Sequence, residues 1–345
     1  MRQIVQTGTP HEMGLQHGAA FADVIPAAVK RFALDRGSRT PHGRRVIRQV
    51  ERNLERVFPE SLEELHAIAT AADVNYDDLL AYNSCQEISR SRVECTNVAL
   101  ADTPQGTIHF KSNDVTADMQ QYHVYQEVHP ERGHAYIGVT YAGTTWLNAG
   151  VNEAGLTYGG SSIPNNDSDW DGIPTNTALR YYLQFADSVD AVADLVARTP
   201  IMNHGCNLMF TDPSGAAIVV ERSPTRTAVR RIDSHTIWNT NHFLTDEMQE
   251  VLNNDGGAAA QNSRDRFTVL ERLTAEQPHS LEQLMRIART HTEPASICRH
   301  DELAQSIMGY IMIPRERKLL VSFGYPCQNE FEAFTFTKTP AAAAS

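Results

Sequence analysis

The chain has 345 residues, 41% of them hydrophobic and 21% charged, with a formal net charge of −12. That balance fits a folded globular protein and excludes an intrinsically disordered one. It argues against a general nucleic-acid binder, which needs a basic surface to neutralise phosphates, and no apolar run reaches the ~18 residues of a membrane span.

The first ninety or so residues read mainly as helices. Met1-Arg2-Gln3-Ile4-Val5-Gln6 lacks the apolar core of a secretory signal, so a cytoplasmic location is expected. Val46, Ile47, Val50, Leu54, Val57 and Phe58 recur at helical spacing, and Pro59 closes the run. Ser61-Leu62-Glu63-Glu64 then reads as a capping box, with Leu62, Leu65, Ile68 and Ala69 as the buried face of the next helix. Asp77-Asp78-Leu79-Leu80 opens another short helix.

From Cys95 onward the pattern changes to short strands. Thr107–Phe110, His134–Tyr141, Asn207–Thr211 and Ile218–Arg222 fit, with Asp212-Pro213-Ser214-Gly215 as the turn between the last two. Two helical blocks interrupt them: Thr177–Val196, broken near Asp187-Ser188, and Ser280–Ala288, which opens on a second capping box from Ser280 to Gln283. Late strands follow at Leu319–Gly324 and Phe331–Phe336, and the tail Pro340–Ser345 is expected to fray. Hairpin strands with grouped helices favour an α+β fold with antiparallel sheets. No repeat or linker divides the chain, which reads as one structural unit.

Cys85, Cys95, Cys206, Cys298 and Cys327 are odd in number and widely spaced, and read as reduced thiols. The fourteen histidines show no ligand-pair spacing, so no metal is expected. Cys95 stands out because Glu94-Cys95-Thr96-Asn97 lies where the helix-rich part gives way to strands. A thiol is mostly protonated at neutral pH and needs a base. Cutting the Glu94–Cys95 bond would give Cys95 its own α-amino group, whose pKa of about 7.7–8.0 suits that task. The alternative is a buried packing cysteine.

Lys111 and Asp114 follow a predicted strand; Asp114 could hold the new amine and Lys111 could favour the thiolate. Within Asn239-Thr240-Asn241-His242, Asn241 is the candidate oxyanion donor and His242 a candidate base. Asn262-Ser263-Arg264-Asp265-Arg266 offers a further cation. Trp146, Tyr158, Tyr181, Tyr182 and Phe185 could line an acyl pocket or pack in the core.

Six segments together resemble the peptidase C45 family, which includes the acyl-coenzyme A:6-aminopenicillanic acid acyltransferases. They are Gly8-Thr9-Pro10-His11-Glu12-Met13-Gly14 with Gln16-His17-Gly18, Glu94-Cys95-Thr96, Asn152-Glu153-Ala154-Gly155-Leu156, Asn239 to Phe243, Ser296 to His300 and Gly324 to Cys327. The resemblance implies an N-terminal nucleophile (Ntn) hydrolase fold, an αββα four-layer sandwich. It implies self-cleavage into a segment 1–94 and a catalytic segment 95–345. Cys95 would be the nucleophile, Asp114 the carboxylate near its amine, Asn241 an oxyanion donor and Arg264 the catalytic-site arginine. The similar cholylglycine hydrolase branch usually has arginine where this chain has Lys111, and asparagine where Gly159-Gly160-Ser161-Ser162 supplies serine. Those departures leave the second oxyanion donor unassigned and point away from bile-salt hydrolysis. The resulting expectation is an amidohydrolase acting on an N-acyl amide through a Cys95 thioester, without a cofactor. The alternatives are an acyltransferase with a coenzyme A thioester as co-substrate, and an inactive binding protein on the same fold. Cys298 and Cys327 lie in family-like motifs and are expected to pack.

Overall fold

A computed structural model describes residues 1–33, 38–89, 94–233, 235–253 and 257–337. The chain opens on a strand, β1 (Arg2–Gly8), followed by six helices: α1 (Pro10–Ala20), α2 (Ile25–Ala33), α3 (Pro41–Val57), α4 (Pro59–Ala71), α5 (Tyr76–Asn83) and α6 (Cys85–Ser89). Strands β2 (Asn97–Thr103), β3 (Gly106–Val115), β4 (His123–Pro130), β5 (Tyr136–Tyr141), β6 (Ala149–Asn152) and β7 (Thr157–Ile163) come next. After α7 (Thr175–Phe185) and α8 (Val189–Arg198) lie β8 (Gly205–Thr211), β9 (Ala217–Arg222), β10 (Thr227–Arg231) and β11 (Thr236–Asn239). Helices α9 (Asp246–Gln249), α10 (Ala258–Leu273) and α11 (Leu281–Ala288) precede β12 (Gln305–Ile313), β13 (Lys318–Phe323) and β14 (Phe331–Phe334).

The strands form an eight-stranded sheet, in the order β1-β4-β5-β6-β7-β8-β9-β10, and a six-stranded sheet, β11-β2-β3-β12-β13-β14. Separate apolar clusters define the layers. Phe21, Val50, Ile68, Leu80 and Leu183 from the helices meet Val128, Tyr158 and Phe210 on the outer face of the larger sheet. Val139 and Val151 meet Tyr310 and Val321 between the sheets. Leu270 and Ile287 of α10 and α11 cover Phe110 and Ile311 on the far face. Helix, sheet, sheet, helix is the αββα sandwich. Among the described residues no helix is long and apolar enough to cross a membrane.

The break at Asp187-Ser188 is real: Ser188 caps α8 by accepting from Ala191 N–H. Gly215 takes the positive φ of +104° that the β8–β9 turn requires. Other expectations are corrected. Pro59 opens α4 instead of merely closing α3, since its missing N–H costs nothing at the first position of a helix. The expected box residues make tertiary contacts: Ser61 Oγ lies 3.1 Å from Thr145 Oγ1, and Glu64 pairs with Arg180 at 2.5 Å. Ser280 does cap α11, but Gln283 Nε2 donates to Leu273 O and Glu276 O, so the second box is half formed. The reciprocal box is at Thr9 and Glu12, opening α1. The sheets are antiparallel except where β1 lies parallel to β4. The expected frayed tail, 340–345, lies outside the described residues.

Candidate active site

Cys95 sits just before β2, buried at 3% exposure. Its backbone is fixed from several directions. Cys95 N–H donates to Asn241 Oδ1 at 3.0 Å, and Arg266 Nη1 donates to Cys95 O at 2.9 Å. Glu94 and Asp114 exchange backbone hydrogen bonds, with Asp114 N–H reaching Glu94 O at 3.0 Å. Ser112 holds the next residue, its hydroxyl accepting from Thr96 N–H at 3.0 Å.

Lys111 and Asp114 both lie inside β3, which runs on past Phe110 to Val115. Alternation along the strand sends them to opposite faces. Lys111, 2% exposed, places Nζ 5.4 Å from the centre of the Tyr310 ring. The Asp114 carboxylate, on the α10 side, accepts from Ser306 Oγ at 2.7 Å and Ser112 Oγ at 3.0 Å. The nitrogen of Cys95 is therefore held by Asn241 and not by Asp114.

Arg266, rather than Arg264, is the arginine at the nucleophile. Beyond Cys95 O, it donates to Thr96 Oγ1 (2.8 Å), Glu94 Oε2 (3.1 Å) and Asn241 Oδ1 (2.9 Å), and Nη1 lies 3.9 Å from Asp114 Oδ2. Ser263, Arg266, Val269 and Leu270 are the buried positions of α10, which leaves Arg264 off that face. This helical periodicity was the available signal for Arg266. Arg299, also fully buried, pairs with Glu94 from the other side and with Asp301. It lies in the family-like segment Ser296 to His300, to which the sequence reading gave no role at the nucleophile.

Two donors converge on Asn241 Oδ1, so the amide is oriented with Nδ2 toward Ser162 O at 2.9 Å. His242 turns away: its Nδ1 lies 2.8 Å from Ser263 Oγ, and burial lowers its pKa to about 4. It is a packed neutral ring with no contact to the thiol. Burial pushes the Cys95 thiol up, while the Lys111 and Arg266 cations pull it back and Asp114 opposes them. Burial raises Cys85 and Cys206 to about 12, Cys206 against the pull of Arg222.

Cys95, Lys111 and Asp114 line one cavity of about 650 Å³. Phe32, Tyr82, Tyr141, Trp146, Tyr158 and Leu179 form much of its apolar wall. Of the aromatic residues considered for an acyl pocket, Trp146 and Tyr158 line it. Tyr181 packs tilted and Phe185 edge-on against Phe58, and Tyr182 packs edge-on to Phe210 in the core. Ser161 and Ser162 also line the cavity, as does Asn148, which the sequence reading passed over. Asn148 Nδ2 and Trp146 Nε1 are buried without a hydrogen-bond partner among the described residues. Each is a donor left open beside the cavity. The His and Cys side chains that could ligate a cation, His291, Cys298, His300 and Cys327, do not line it.

Two antiparallel-dominated sheets between helix layers define the class as an Ntn-hydrolase fold, with Cys95 buried just before β2. The chain belongs to the acyl-coenzyme A:6-aminopenicillanic acid acyl-transferase family, whose sequence pattern matches residues 102–328. That span begins after Cys95 and takes in Lys111, Asp114, Asn241 and Arg266. An Emericella nidulans protein named acyl-coenzyme A:6-aminopenicillanic-acid-acyltransferase 40 kDa form is 23% identical over 98% of this chain and 96% of its own length. An uncharacterised Archaeoglobus fulgidus protein is 25% identical over 55% of this chain, the match spanning 38% of that protein. Among solved structures, penicillin V acylase from Agrobacterium tumefaciens is similar with a TM-score of 0.48 and 14% identity, over 71% of this chain and 87% of that one.

Proposed function

We propose that this protein is a cytoplasmic, self-processing amidohydrolase whose nucleophile is Cys95, acting on an N-acyl amide through a thioester. The observation that carries this reading is the placement of Cys95: its nitrogen is held by Asn241, and it lines a cavity with an aromatic wall. In the cut, Sγ adds to the Glu94 carbonyl carbon, the C–N bond breaks, and the thiol proton passes to the Cys95 nitrogen. Water then hydrolyses the thioester, which frees the Glu94 carboxylate and restores the thiol. Asp114 N–H, 3.0 Å from Glu94 O, is placed to donate to the oxygen as charge develops there. Before the cut burial keeps the thiol protonated. The freed amine supplies a base in the same residue.

In turnover the amine takes the thiol proton, the thiolate attacks the acyl carbon, and the proton goes to the leaving amine. Lys111 and Arg266 favour the thiolate. Asn148 Nδ2 joins Asn241 as a candidate oxyanion donor, filling the place that Ser161 and Ser162 left open. The aromatic wall suits an apolar acyl group, with the amine toward the polar mouth at Arg31 and Asn176.

Acyl transfer is the second reading, favoured by the full-length match to the fungal acyltransferase. A coenzyme A thioester would then load the same cysteine and an amine would receive the acyl group. Intact-mass analysis followed by a panel of acyl amides and acyl thioesters separates the readings. The expected result is two fragments meeting at Glu94 and Cys95, amide turnover in water, and an acyl adduct on Cys95. Thioester-dependent acylation of added amines with no amide hydrolysis would select transfer, and full activity in an uncut chain or in Cys95→Ala would overturn both.

A further inference from the structure

His291, Cys298, His300 and Cys327 contain no short-spaced ligand pair of the usual zinc type, so the sequence alone points to no metal. The fold brings them together. One ligand atom from each, two sulfurs and two ring nitrogens, all lie within 4.8 Å of one another. His300 Nε2 is 3.2 Å from Cys327 Sγ and 3.6 Å from Cys298 Sγ. Zinc bonds of about 2.3 Å to sulfur and 2.0–2.1 Å to nitrogen, at tetrahedral angles, put neighbouring ligand atoms roughly 3.3 to 3.8 Å apart. These two spacings are already near that range, and the widest must close by about 1 Å, a small side-chain movement.

The backbones that carry these side chains are held without any metal. Cys298 is fully buried, and the N–H groups of Ile297 and Cys298 both donate to Thr290 O at 3.1 Å. Arg289, at the end of α11, reaches across to Pro326 O at 3.0 Å and so ties this loop to the turn that bears Cys327. His300 stacks on Tyr325 with ring centres 4.0 Å apart, and Tyr325 Oη donates to Gln305 Oε1 at 2.6 Å. His291 is exposed and closes the group from the solvent side. The donor set matters as much as the spacing. Two thiolates balance a divalent charge, and with two imidazoles and no carboxylate they select zinc over the oxygen-seeking magnesium and calcium.

We propose that His291, Cys298, His300 and Cys327 form a tetrahedral zinc site that clamps the 289–304 loop to the turn after β13. The site is a staple for the loop that carries Arg299, the buried partner of Glu94. It is independent of which acyl reaction the enzyme performs.

The test uses the full chain, produced with zinc salts, desalted and assayed for metal. Wild type should retain roughly one zinc per chain, and Cys327→Ser and His300→Ala, both at partly exposed positions, should lose nearly all of it. Cobalt loaded in place of zinc should show thiolate-to-metal charge-transfer absorption, absent in Cys327→Ser. A chelator should lower the unfolding temperature and speed amide exchange across 297–306 in wild type, with no further change in folded Cys327→Ser. The proposal is overturned if folded wild type holds no zinc after incubation with it, if the Cys327→Ser, His300→Ala double variant keeps its metal, or if protein purified without oxidant weighs two hydrogens less because Cys298 and Cys327 are joined as a disulfide.

Discussion

At the scale of single residues, the site turns on which arginine faces Cys95. Replacing Arg266 by lysine removes the forked set of hydrogen bonds to Cys95, Thr96, Glu94 and Asn241. Loss of one charge-assisted bond in that set is worth about 1.5–3 kcal/mol, so the rate of self-cleavage should fall at least about tenfold. Arg264→Gln should stay within about twofold of wild type, because Arg264 is off the buried face. A time course of fragment appearance separates the two. Lys111→Met tests electrostatics in another way. Lys111 lowers the Cys95 pKa, so its loss raises that pKa and should move the acid limb of the activity profile to higher pH. An unmoved limb, with folding intact, would take Lys111 out of the mechanism. Of the residues read from sequence, Cys95, Lys111 and Asp114 line one cavity and Asn241 holds the Cys95 nitrogen, although the sequence placed Lys111 and Asp114 after a strand and not inside β3. The arginine was misplaced by two positions, because a choice between neighbouring cations depends on helix phase, and the start of α10 carries no side-chain cap to set that phase.

At the scale of elements, α1 and α4 approach so closely that glycine is required between them. A Cβ on Gly14 would lie 2.4 Å from Glu64 O, and one on Gly18 would lie 2.7 Å from both Ala71 Cβ and Ile68 O. Gly14→Ala should therefore cost about 1–3 kcal/mol in denaturant unfolding. Gly160 is a useful contrast. Its nearest neighbours to an added Cβ begin at 3.4 Å, and it lines the cavity. Gly160→Ala should leave stability within about 0.5 kcal/mol while raising KM for bulky acyl groups more than for small ones. The β8–β9 hairpin and the start of α8 were legible because turn and capping residues mark them. Many other elements were not, β4, β7, α10 and β12 among them, and two show why. In β1 only Gln6 is buried and Val5 is half exposed, so no apolar alternation advertises the strand. In β3 the polar run Lys111-Ser112-Asn113-Asp114 looks like a turn, yet each of Ser112, Asn113 and Asp114 finds a buried partner. Chemistry at the site overrode the usual strand pattern there.

At the scale of the whole molecule, burial sets the response to acid. His17, His109 and His123 are lowered to about 3 and His242 to about 4, in each case chiefly by desolvation. Unfolded, each would take a proton near pH 6.5. Below that pH the unfolded chain binds more protons than the folded one, so stability is full above pH 6.5 and is lost as pH falls toward 4 and then 3. Glu87, raised to about 7 by burial, acts in the opposite sense between about pH 4.5 and 7 and offsets part of the loss. Urea unfolding should show the protein several kcal/mol less stable at pH 5 than at pH 7.5. Equal stability at the two values would mean that these rings are not buried in neutral form.

The parallel pairing of β1 with β4 matches Arg2 to Val124, across the whole helical segment. The residues of β1 therefore wait for a partner made more than a hundred residues later, and closing so large a loop is entropically costly. In an intact chain that cost is fixed by the tether. A chain opened before Cys95 has no tether, and its β1 and helices α1 to α6 become a separate molecule that must find the larger sheet by diffusion. Refolding after full denaturation should then slow on dilution for the cut protein and be independent of concentration for Cys95→Ala. A fold assembled once during synthesis becomes one that dilute solution cannot readily rebuild.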